Sequence, residues 1–388
     1  MIENGFVYVA VLMVTAASLV FLEKKTHSKI FAYLPAIVIL YFVVMLFSTF
    51  GLWQKNASIT NTYVALKTNL LPAMIFLMLL SADLREIVKM GKKMLATFFL
   101  ASFSIAIGFI GMFALFQTYF PPEAWKPFAA LCGSWMGGTG NMIAIQGALD
   151  VPDSAMGYTL LIDSIDYALW VMILLALVPF AKRFNVWSKA DTSIIDEVGT
   201  RLIKKDAQKE SVDFPSVFFL LSVSLLVSTL SQYGASVLPV TSFLDEQTWV
   251  IIIATLGGIL LAMTPLAKIG GADIVSNSML YLIVALIASR ANFAELTQAP
   301  LYIFAGVIVL AIHATLMILF AKLFKLDLFS IGVASLANIG GVASAPILAS
   351  AYSKALIPIG VLMAMMGYII GTFGGLMVGK ILEMMGGV

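Results

Sequence analysis

Long apolar segments, separated by short polar loops, dominate the pattern of hydrophobic and polar positions along this chain. Six such segments occupy the first half of the chain, and six occupy the second. Each approaches the roughly 17 to 25 apolar residues that a membrane-spanning helix needs. The segments cover residues 5–22, 30–52, 63–82, 95–120, 125–149, 154–181, 214–233, 249–264, 274–289, 301–321, 329–351 and 356–383. The pattern predicts an all-α integral membrane protein.

Two of these segments are interrupted near their middle by adjacent glycines and small polar residues. In the fifth segment the interruption consists of Gly137, Gly138, Thr139, Gly140 and Asn141. In the eleventh, 203 positions further on, it begins with Gly340 and Gly341 and ends with Ser344. Glycine inside a helix costs roughly 1 kcal/mol relative to alanine. We therefore expect each helix to break there and to resume near Met142 and Pro346.

The basic residues indicate how the segments cross the membrane, because cytoplasmic loops carry an excess of Lys and Arg. If the chain starts outside and both glycine-broken segments dip in and return, most of the 23 basic residues fall inside. If both crossed fully, the seven basic residues of 182–213 would lie opposite the four of 85–93. We therefore predict ten transmembrane helices and two re-entrant hairpins, near 125–149 and 329–351. The same topology makes 182–213 a cytoplasmic linker and puts both termini outside.

Five true spans per half is an odd number, so the second half must be inverted relative to the first. This predicts two inverted-topology repeats, 1–181 and 214–388. Only a faint sequence match supports them, with the two glycine pairs aligned at an offset of 203. A hairpin arm of about ten residues rises about 15 Å, half of a hydrocarbon core about 30 Å thick. Both glycine tips are therefore expected to meet near the midplane.

The tips are the predicted binding site. Broken backbone at membrane depth is tolerated only inside protein or along a watery cavity. Glycines let a ligand approach the backbone closely, and helix N-termini offer N–H groups and a positive dipole end. We predict that a small polar or anionic solute binds at Gly137, Gly138, Thr139, Gly140, Asn141, Asn338, Gly340, Gly341 and Ser344. The alternative is that these small residues only allow close helix packing.

Asp163 and Asp166 lie in the segment after the first interruption, on one face of a helix because they are three positions apart. Intramembrane carboxylates are costly and are functional candidates by default. Two close carboxylates repel, so either one holds a proton or both share Na⁺ with Thr159 nearby. We predict that this pair couples ions to transport. The alternative is a structural hydrogen bond to a neighbouring helix.

Three other polar residues at or within the apolar segments are less informative. Lys67 and Arg290 stand near the predicted outer ends of their segments, where an interface anchor is expected and a role in the site is the alternative. His313 is the one histidine of its segment. We expect it to pack in the core, with a proton relay as the alternative.

Composition agrees with a membrane protein and narrows its function. Apolar residues make up 61% and charged residues 11% of the chain, against about 45 to 50% and about 25% in soluble domains. A net charge of +2 gives no reason to expect a nucleic-acid partner. With two histidines and one cysteine, Cys132, we see neither a Ser/His/Asp set nor a metal-ligand cluster. We therefore expect neither enzyme activity nor a cofactor.

The two interruptions also carry a family resemblance. Gly-Ser-Trp-x-Gly-Gly-Thr-Gly-Asn, at Gly133 to Asn141, and Ala-Asn-Ile-Gly-Gly-x-Ala-Ser-Ala-Pro, at Ala337 to Pro346, resemble recurrent motifs of the bacterial membrane family called domain of unknown function 819. The likeness spans nearly the whole chain. More distantly, Gly-Gly-x-Gly resembles re-entrant loops of the glutamate:sodium symporter and 2-hydroxycarboxylate transporter families. The second interruption departs from that pattern at Ala343.

The distant resemblance implies an elevator carrier, often a homodimer, in which a transport domain with both hairpins slides past a scaffold. Together with the residues above, it predicts a secondary active transporter of the cell (inner) membrane. Its partners would be the lipid bilayer, a small-molecule solute and Na⁺ or H⁺. One alternative is a cation/proton antiporter without an organic substrate. A receptor or purely structural role is a further alternative, which the intramembrane carboxylates disfavour.

Overall fold

The computed structural model describes residues 1–26, 31, 36–54, 56–80, 91–190, 212–241, 246–291, 299–353 and 356–386. In the first half, the helices are α1 (Gly5–Thr26), α2 (Ala36–Thr49), α3 (Ala57–Leu80), α4 (Lys92–Phe116), α5 (Trp125–Gly137), α6 (Thr139–Ala148), α7 (Asp153–Leu177) and α8 (Ala181–Ser188). In the second half, they are α9 (Phe214–Ser236), α10 (Glu246–Leu261), α11 (Ala272–Ala288), α12 (Ala299–Phe324), α13 (Leu328–Ile339), α14 (Gly341–Tyr352) and α15 (Ile357–Gly386). The prediction of an all-α protein is confirmed.

Seven helical stretches within the described ranges are long and apolar enough to cross a membrane. They are Gly5–Thr26, Ala57–Leu80, Lys92–Tyr119, Asp153–Ser188, Phe214–Ser236, Ala299–Phe324 and Ile357–Gly386. Three of the ten predicted spans are shorter than this, because α2, α10 and α11 have 14, 16 and 17 residues. Both α2 and α10 begin directly after residues outside the described part of the chain. The protein is therefore a multi-pass membrane protein with at least these seven candidate spans.

The lipid-facing side of a helix is visible in α1. Gly5, Tyr8, Leu12 and Ala16 are buried and recur every three or four residues, as one face of a helix does. Most of the other residues of α1 up to Leu22 are also apolar, and they are at least partly exposed, for example Phe6, which is 83% exposed. A helix that is apolar all round is expected when one side meets protein and the other meets hydrocarbon.

Two groups of helices pack mainly within themselves. In the first, the α3 body, α3 packs against α9, α10 and α11, and α1 and α2 complete the group. In the second, the hairpin body, α4 packs on α12, while α5, α13 and α14 pack on α15. The remaining members of the hairpin body, α6 and α7, form most of the contact between the two bodies. Helix α6 packs against α3 and α10, and α7 packs against α2 and α11.

The chain reverses direction at both glycine interruptions, so the predicted helix breaks are confirmed. In the first hairpin, α5 and α6, a Cβ on Gly133 would collide with the Ile145 side chain, although a straight helix would separate them by about 18 Å. In the second hairpin, α13 and α14, the rings of Phe329 and Tyr352 stack edge to face at 5.4 Å. Each arm has 10 to 13 residues.

The prediction that the helices resume near Met142 and Pro346 is wrong. They resume at Thr139 and Gly341, and Pro346 lies inside α14. Gly138 and Gly341 have φ angles of 92° and 59°, in the left-handed region that glycine adopts without steric cost. One such residue reverses the chain, so no longer irregular loop is needed.

The first residues of the predicted linker 182–213 belong to a helix. The chain continues from α7 through a short 3₁₀ turn into α8, so residues 181–188 are helical. Residues 191–211, and with them a short surface helix suggested by the sequence around 193–205, lie outside the described residues. Helix order repeats between the halves: shifting α5 by 203 positions gives 328–340, and α13 covers Leu328–Ile339. The domain limits and the inversion of the second repeat stay predictions.

Candidate functional site: the meeting of the two hairpins

The two hairpins come together over one glycine of α15. A Cβ on Gly367 would stand 2.8 Å from the Met136 carbonyl oxygen, 3.0 Å from the Gly137 Cα and 3.5 Å from the Ala337 carbonyl oxygen. Met136 and Gly137 end the first arm of the first hairpin, and Ala337 lies near the end of the first arm of the second. Only a residue without a side chain fits between two backbones this close, so the first arms of both hairpins end against α15. The depth of this place in the membrane stays a prediction.

Helix α7 touches both hairpins through side chains one turn apart. Asp163 accepts a hydrogen bond of 3.1 Å from the Ser134 hydroxyl in the first hairpin. Tyr167 lies against the tip of the second hairpin, where its ring would obstruct a Cβ on Gly340. A single helix face therefore positions one carboxylate and one phenol at the place where the tips meet.

Six residues at this place are partly exposed, although their surroundings are buried. We call this place the inter-tip crevice and define it by Gly138, Thr139, Asp163, Tyr167, Gly340 and Tyr368. Tyr368 on α15 would lie 3.8 Å from a Cβ on Gly138. Asp163 is the one acidic residue among these six.

The ends of α6 and α14 give the crevice a second electrostatic feature. Both helices begin at a tip, and both follow a glycine that supplies no side-chain cap. The first N–H groups of a helix have no intrahelical acceptor and lie at the positive end of the helix dipole. The crevice therefore combines one acidic side chain with two uncapped helix N-termini, which together suit a small solute with polar or charged groups.

Asn141 and Asn338, both predicted to bind solute, hold the hairpins in shape. Asn141 donates to the Gly137 carbonyl at 2.8 Å and accepts from the Thr372 hydroxyl of α15 at 2.7 Å. Asn338 donates to the Ala334 carbonyl at 2.9 Å and accepts from the Ser102 hydroxyl of α4 at 2.7 Å. A role in solute binding stays a prediction for both. Sequence reasoning did not identify either hydroxyl partner.

Three further predicted residues are close to the tips. The side chain of Ser344 is buried beside Gly340 and the Tyr167 ring. Gly140 leaves room for Met78 of α3, whose sulfur a Cβ would strike, so the first tip also touches the α3 body. Thr159 donates to the Ala155 carbonyl of its own helix at 2.8 Å.

Asp163 and Asp166 do not share one environment. Asp166 is fully buried against α12, where a Cβ on Gly306 would collide with its carboxylate. Neither of its oxygens has a hydrogen-bond partner among the described residues. The two aspartates were expected on one helix face. Three positions along a helix rotate the side-chain direction by about 60°, and the two carboxylates contact different helices. That turn is enough to face another helix.

A buried hydrogen-bonded chain lies behind the second hairpin. The Nδ1 atom of His313 is 2.7 Å from the Ser104 hydroxyl, and its Nε2 atom is 2.7 Å from the Ser335 hydroxyl. The Trp170 indole donates to the same Ser335 oxygen at 2.8 Å. The chain links α4, α12, α13 and α7. His313 thus packs in the core, as expected, but as the centre of a polar network.

Asp153, at the start of α7, is the main polar contact between the two bodies. It forms an ion pair of 3.2 Å with Lys67 and accepts hydrogen bonds from the Tyr63 hydroxyl and, at 2.7 Å, from the Gln146 amide. The Tyr41 hydroxyl donates to its backbone carbonyl at 3.0 Å. We call these five residues the Asp153 cluster. Lys67 is therefore more than an interface anchor, since it pairs with an acid of the other body.

Each hairpin has a cleft beside the end of its second arm. A cleft of about 680 Å³ borders Tyr352 at the end of α14, together with Lys182, Lys189 and Asp327. A smaller cleft of about 170 Å³ borders Gly147 and Asp150 after α6, together with Lys67 and other residues of α3 and α10. Asp327 is paired with Lys93 at 3.1 Å. Each hairpin thus has a polar cleft at its base.

These features define a multi-pass α-helical membrane protein built around two paired helical hairpins. Residues 10–385 match the model of the family described as protein of unknown function (DUF819), so the chain belongs to that family. The chain is also similar to the uncharacterized membrane protein YjcL of Bacillus subtilis (strain 168), with 24% identity over 348 residues, or 87% of each chain. The family resemblance expected from the glycine motifs is confirmed. The more distant link to the glutamate:sodium symporter type stays a prediction.

Proposed function

We propose that this protein is a secondary active transporter of the elevator type, which moves a small polar or anionic solute together with Na⁺ or H⁺. The observation that carries the proposal is the inter-tip crevice. There two broken helices meet beside a carboxylate, within a protein that has seven helical stretches long and apolar enough to cross a membrane. Non-helical backbone at such depth is compatible with a membrane only where it is enclosed or lines a cavity.

In this proposal the two hairpins are re-entrant and ten helices cross the membrane. Arms of 10 to 13 residues rise about 15 to 20 Å, which is too short for a hydrocarbon core of about 30 Å. Helices α2, α10 and α11 then count as short spans. With five spans in each half, the second repeat is inverted relative to the first.

The division into two bodies supports the elevator mechanism. The hairpin body contains the whole crevice and would move, while the α3 body would stay fixed, with a second copy of the chain completing a homodimer. The bodies meet through α6 and α7, and the Asp153 cluster supplies much of the polar contact. A small interface with exchangeable hydrogen bonds suits two bodies that slide past each other.

Two polar ends of the molecule support an orientation in the cell (inner) membrane. Lys93 pairs with Asp327 at 3.1 Å, and Lys322 donates to the Trp187 carbonyl of α8 at 2.5 Å. This end, rich in basic residues, would face the cytoplasm. Arg290, which bonds the Thr60 hydroxyl at 3.2 Å, would mark the outer end.

A thermal-shift screen of polar metabolites on purified protein, with and without Na⁺, tests the proposal. A solute that binds the native state raises the apparent midpoint of unfolding, and uptake of that solute into proteoliposomes then establishes transport. The cation/proton antiporter remains the second candidate, because the two intramembrane aspartates alone would suffice for it. Cation exchange by a protein that binds no organic solute would favour the antiporter, whereas inactivity in both assays would count against transport.

A further inference from the structure

Among the buried acids of the hairpin body, Asp166 stands apart because no side chain in the described ranges stabilises its charge. Asp153 receives three side-chain donors, and Asp163 receives the Ser134 hydroxyl. Asp327 accepts from the Ser330 amide and hydroxyl and pairs with Lys93. Asp166 is 0% exposed, and both of its carboxylate oxygens lack a partner in the described part of the chain.

The contacts of Asp166 are apolar as well as close. Gly306 of α12 leaves space for the carboxylate, and a Cβ there would also stand 2.9 Å from the Ile162 side chain. Burying an ionised carboxylate without a counter-charge or hydrogen bonds is strongly unfavourable. The neutral, protonated acid is the form that this environment accepts.

A sodium ion finds no comparable site there. Hard cations bound by proteins collect about six oxygen ligands. Neither Asp166 oxygen has a hydrogen-bond partner among the described residues, and the Thr159 and Ser164 hydroxyls are directed to the Ala155 and Leu160 carbonyls of their own helix. Asp163 faces the first hairpin instead, where it accepts a hydrogen bond from the Ser134 hydroxyl.

Within the part of the chain that the structure describes, the titratable groups around Asp166 make no hydrogen bond or ion pair with it. Asp163 is the charged group that acts on it from its own helix. Facing α12 carries Tyr302, His313 and Lys322, of which His313 has both ring nitrogens bonded to serines. The other helices that pack on α7 also carry titratable residues. Each of these is bonded to another residue, is at least partly buried or lies at a helix end. They are Tyr41, Lys126, Cys132, Asp273, Tyr281 and Tyr352.

We propose that the coupling cation is a proton, not Na⁺, and that one proton is carried on the carboxyl group of Asp166. This inference rests on the proposed transport function. Asp163 borders the crevice about 4.5 Å along the helix axis from Asp166, so the proton has a short route from the crevice. Asp166 is then the proton carrier, and Asp163 is the acid that meets the solute.

Infrared spectroscopy of the purified protein tests the proton site without a known solute, because a protonated carboxylic acid absorbs apart from carboxylates and amides. At pH 7 the wild-type spectrum should contain a carboxylic acid band that is absent from Asp166→Asn and retained in Asp163→Asn. Replacing K⁺ by Na⁺ should leave the band unchanged. A wild-type protein without this band, or a band removed by Na⁺, overturns the proposal.

Coupling is tested in proteoliposomes with the solute that the thermal-shift screen identifies. A pH gradient should drive accumulation without Na⁺, and Asp166→Asn should exchange solute across the membrane but lose at least tenfold in accumulation. If accumulation by the wild-type protein does not depend on the pH gradient, the proton assignment is overturned, but the protein is still a transporter. Failure of every solute to bind or move contradicts the proposed function instead, and the infrared band then still decides whether Asp166 holds a proton.

Discussion

Gly367 of α15 lies directly against Gly137 of the first hairpin, such that a Cβ on Gly367 would stand 3.0 Å from the Gly137 Cα. The same Cβ would be 2.8 Å from the Met136 carbonyl oxygen. Because both neighbours are backbone atoms, no side-chain rotation relieves the clash. The meeting of the tips therefore depends on one missing methyl group.

We expect Gly367→Ala to separate the first hairpin from α15 and to weaken solute binding at the crevice. Overpacking of a close interface typically costs about 1 to 3 kcal/mol, which should lower the midpoint of thermal unfolding. Gly257→Ala on α10 is a matched control, since its new Cβ would meet only Val227, at 3.9 Å. If the two variants had equal unfolding midpoints and equal ligand-induced shifts, the close approach of the first hairpin to Gly367 would not be needed for stability or binding.

The tips were predictable because their signal is local. Both breaks fall at a glycine pair that is followed within three residues by a small polar side chain. The glycine pairs at 257–258 and 374–375 lack such a residue and stay inside the unbroken helices α10 and α15. The Asp153 cluster and the His313 network were not predictable, because the side chains that bond one another lie on different helices. Their partners lie far away, with Ser104 and His313 separated by 209 positions, Trp170 and Ser335 by 165, and Tyr63 and Asp153 by 90.

Ser335→Ala should destabilise the second hairpin. The Ser335 hydroxyl bonds both the Trp170 indole and His313, so its removal leaves two buried polar groups without this partner. Each unsatisfied group costs roughly 1 to 3 kcal/mol, and we expect a clear drop in the thermal midpoint. Ser222→Ala is the control, because its exposed hydroxyl bonds only to its own helix at Phe218. A drop no larger than that of the control would make the network energetically unimportant.

Thiol labelling tests whether the first hairpin returns to the side from which it enters. In a Cys132→Ser background, Glu123→Cys before the hairpin and Asp150→Cys after it should react with a membrane-impermeant reagent added from the same side. Lys189→Cys, at the end of α8, should react only from the other side. All three positions are exposed. Labelling of Glu123→Cys and Asp150→Cys from opposite sides would mean that the hairpin spans the membrane.

Lys67→Met should loosen the contact between the two bodies with little loss of overall stability. The Lys67 and Asp153 side chains are 21% and 18% exposed, so solvent screens the pair, and we expect a loss of about 1 kcal/mol or less. Faster amide hydrogen exchange at the start of α7 would report the loosening. Lys126→Met, which breaks the ion pair with Glu123 inside the hairpin body, should leave that exchange unchanged. Identical amide hydrogen exchange in the wild-type protein and both variants would mean that Lys67 does not stabilise the contact between the two bodies.

Cross-linking the two bodies tests the elevator mechanism itself. The Thr248 hydroxyl of α10 donates to the Ala148 carbonyl of α6 at 2.7 Å, so cysteines at these positions should be joined by a short bifunctional thiol reagent. If the hairpin body slides past the α3 body, this link should reduce uptake at least tenfold, and a reducible linker should restore it on cleavage. As the control, Phe116→Cys with Phe304→Cys joins two helices of the hairpin body, whose rings lie 5.9 Å apart, and should leave uptake intact. Undiminished uptake with the bodies linked would contradict the sliding motion, because α6 and α10 could not then move past each other.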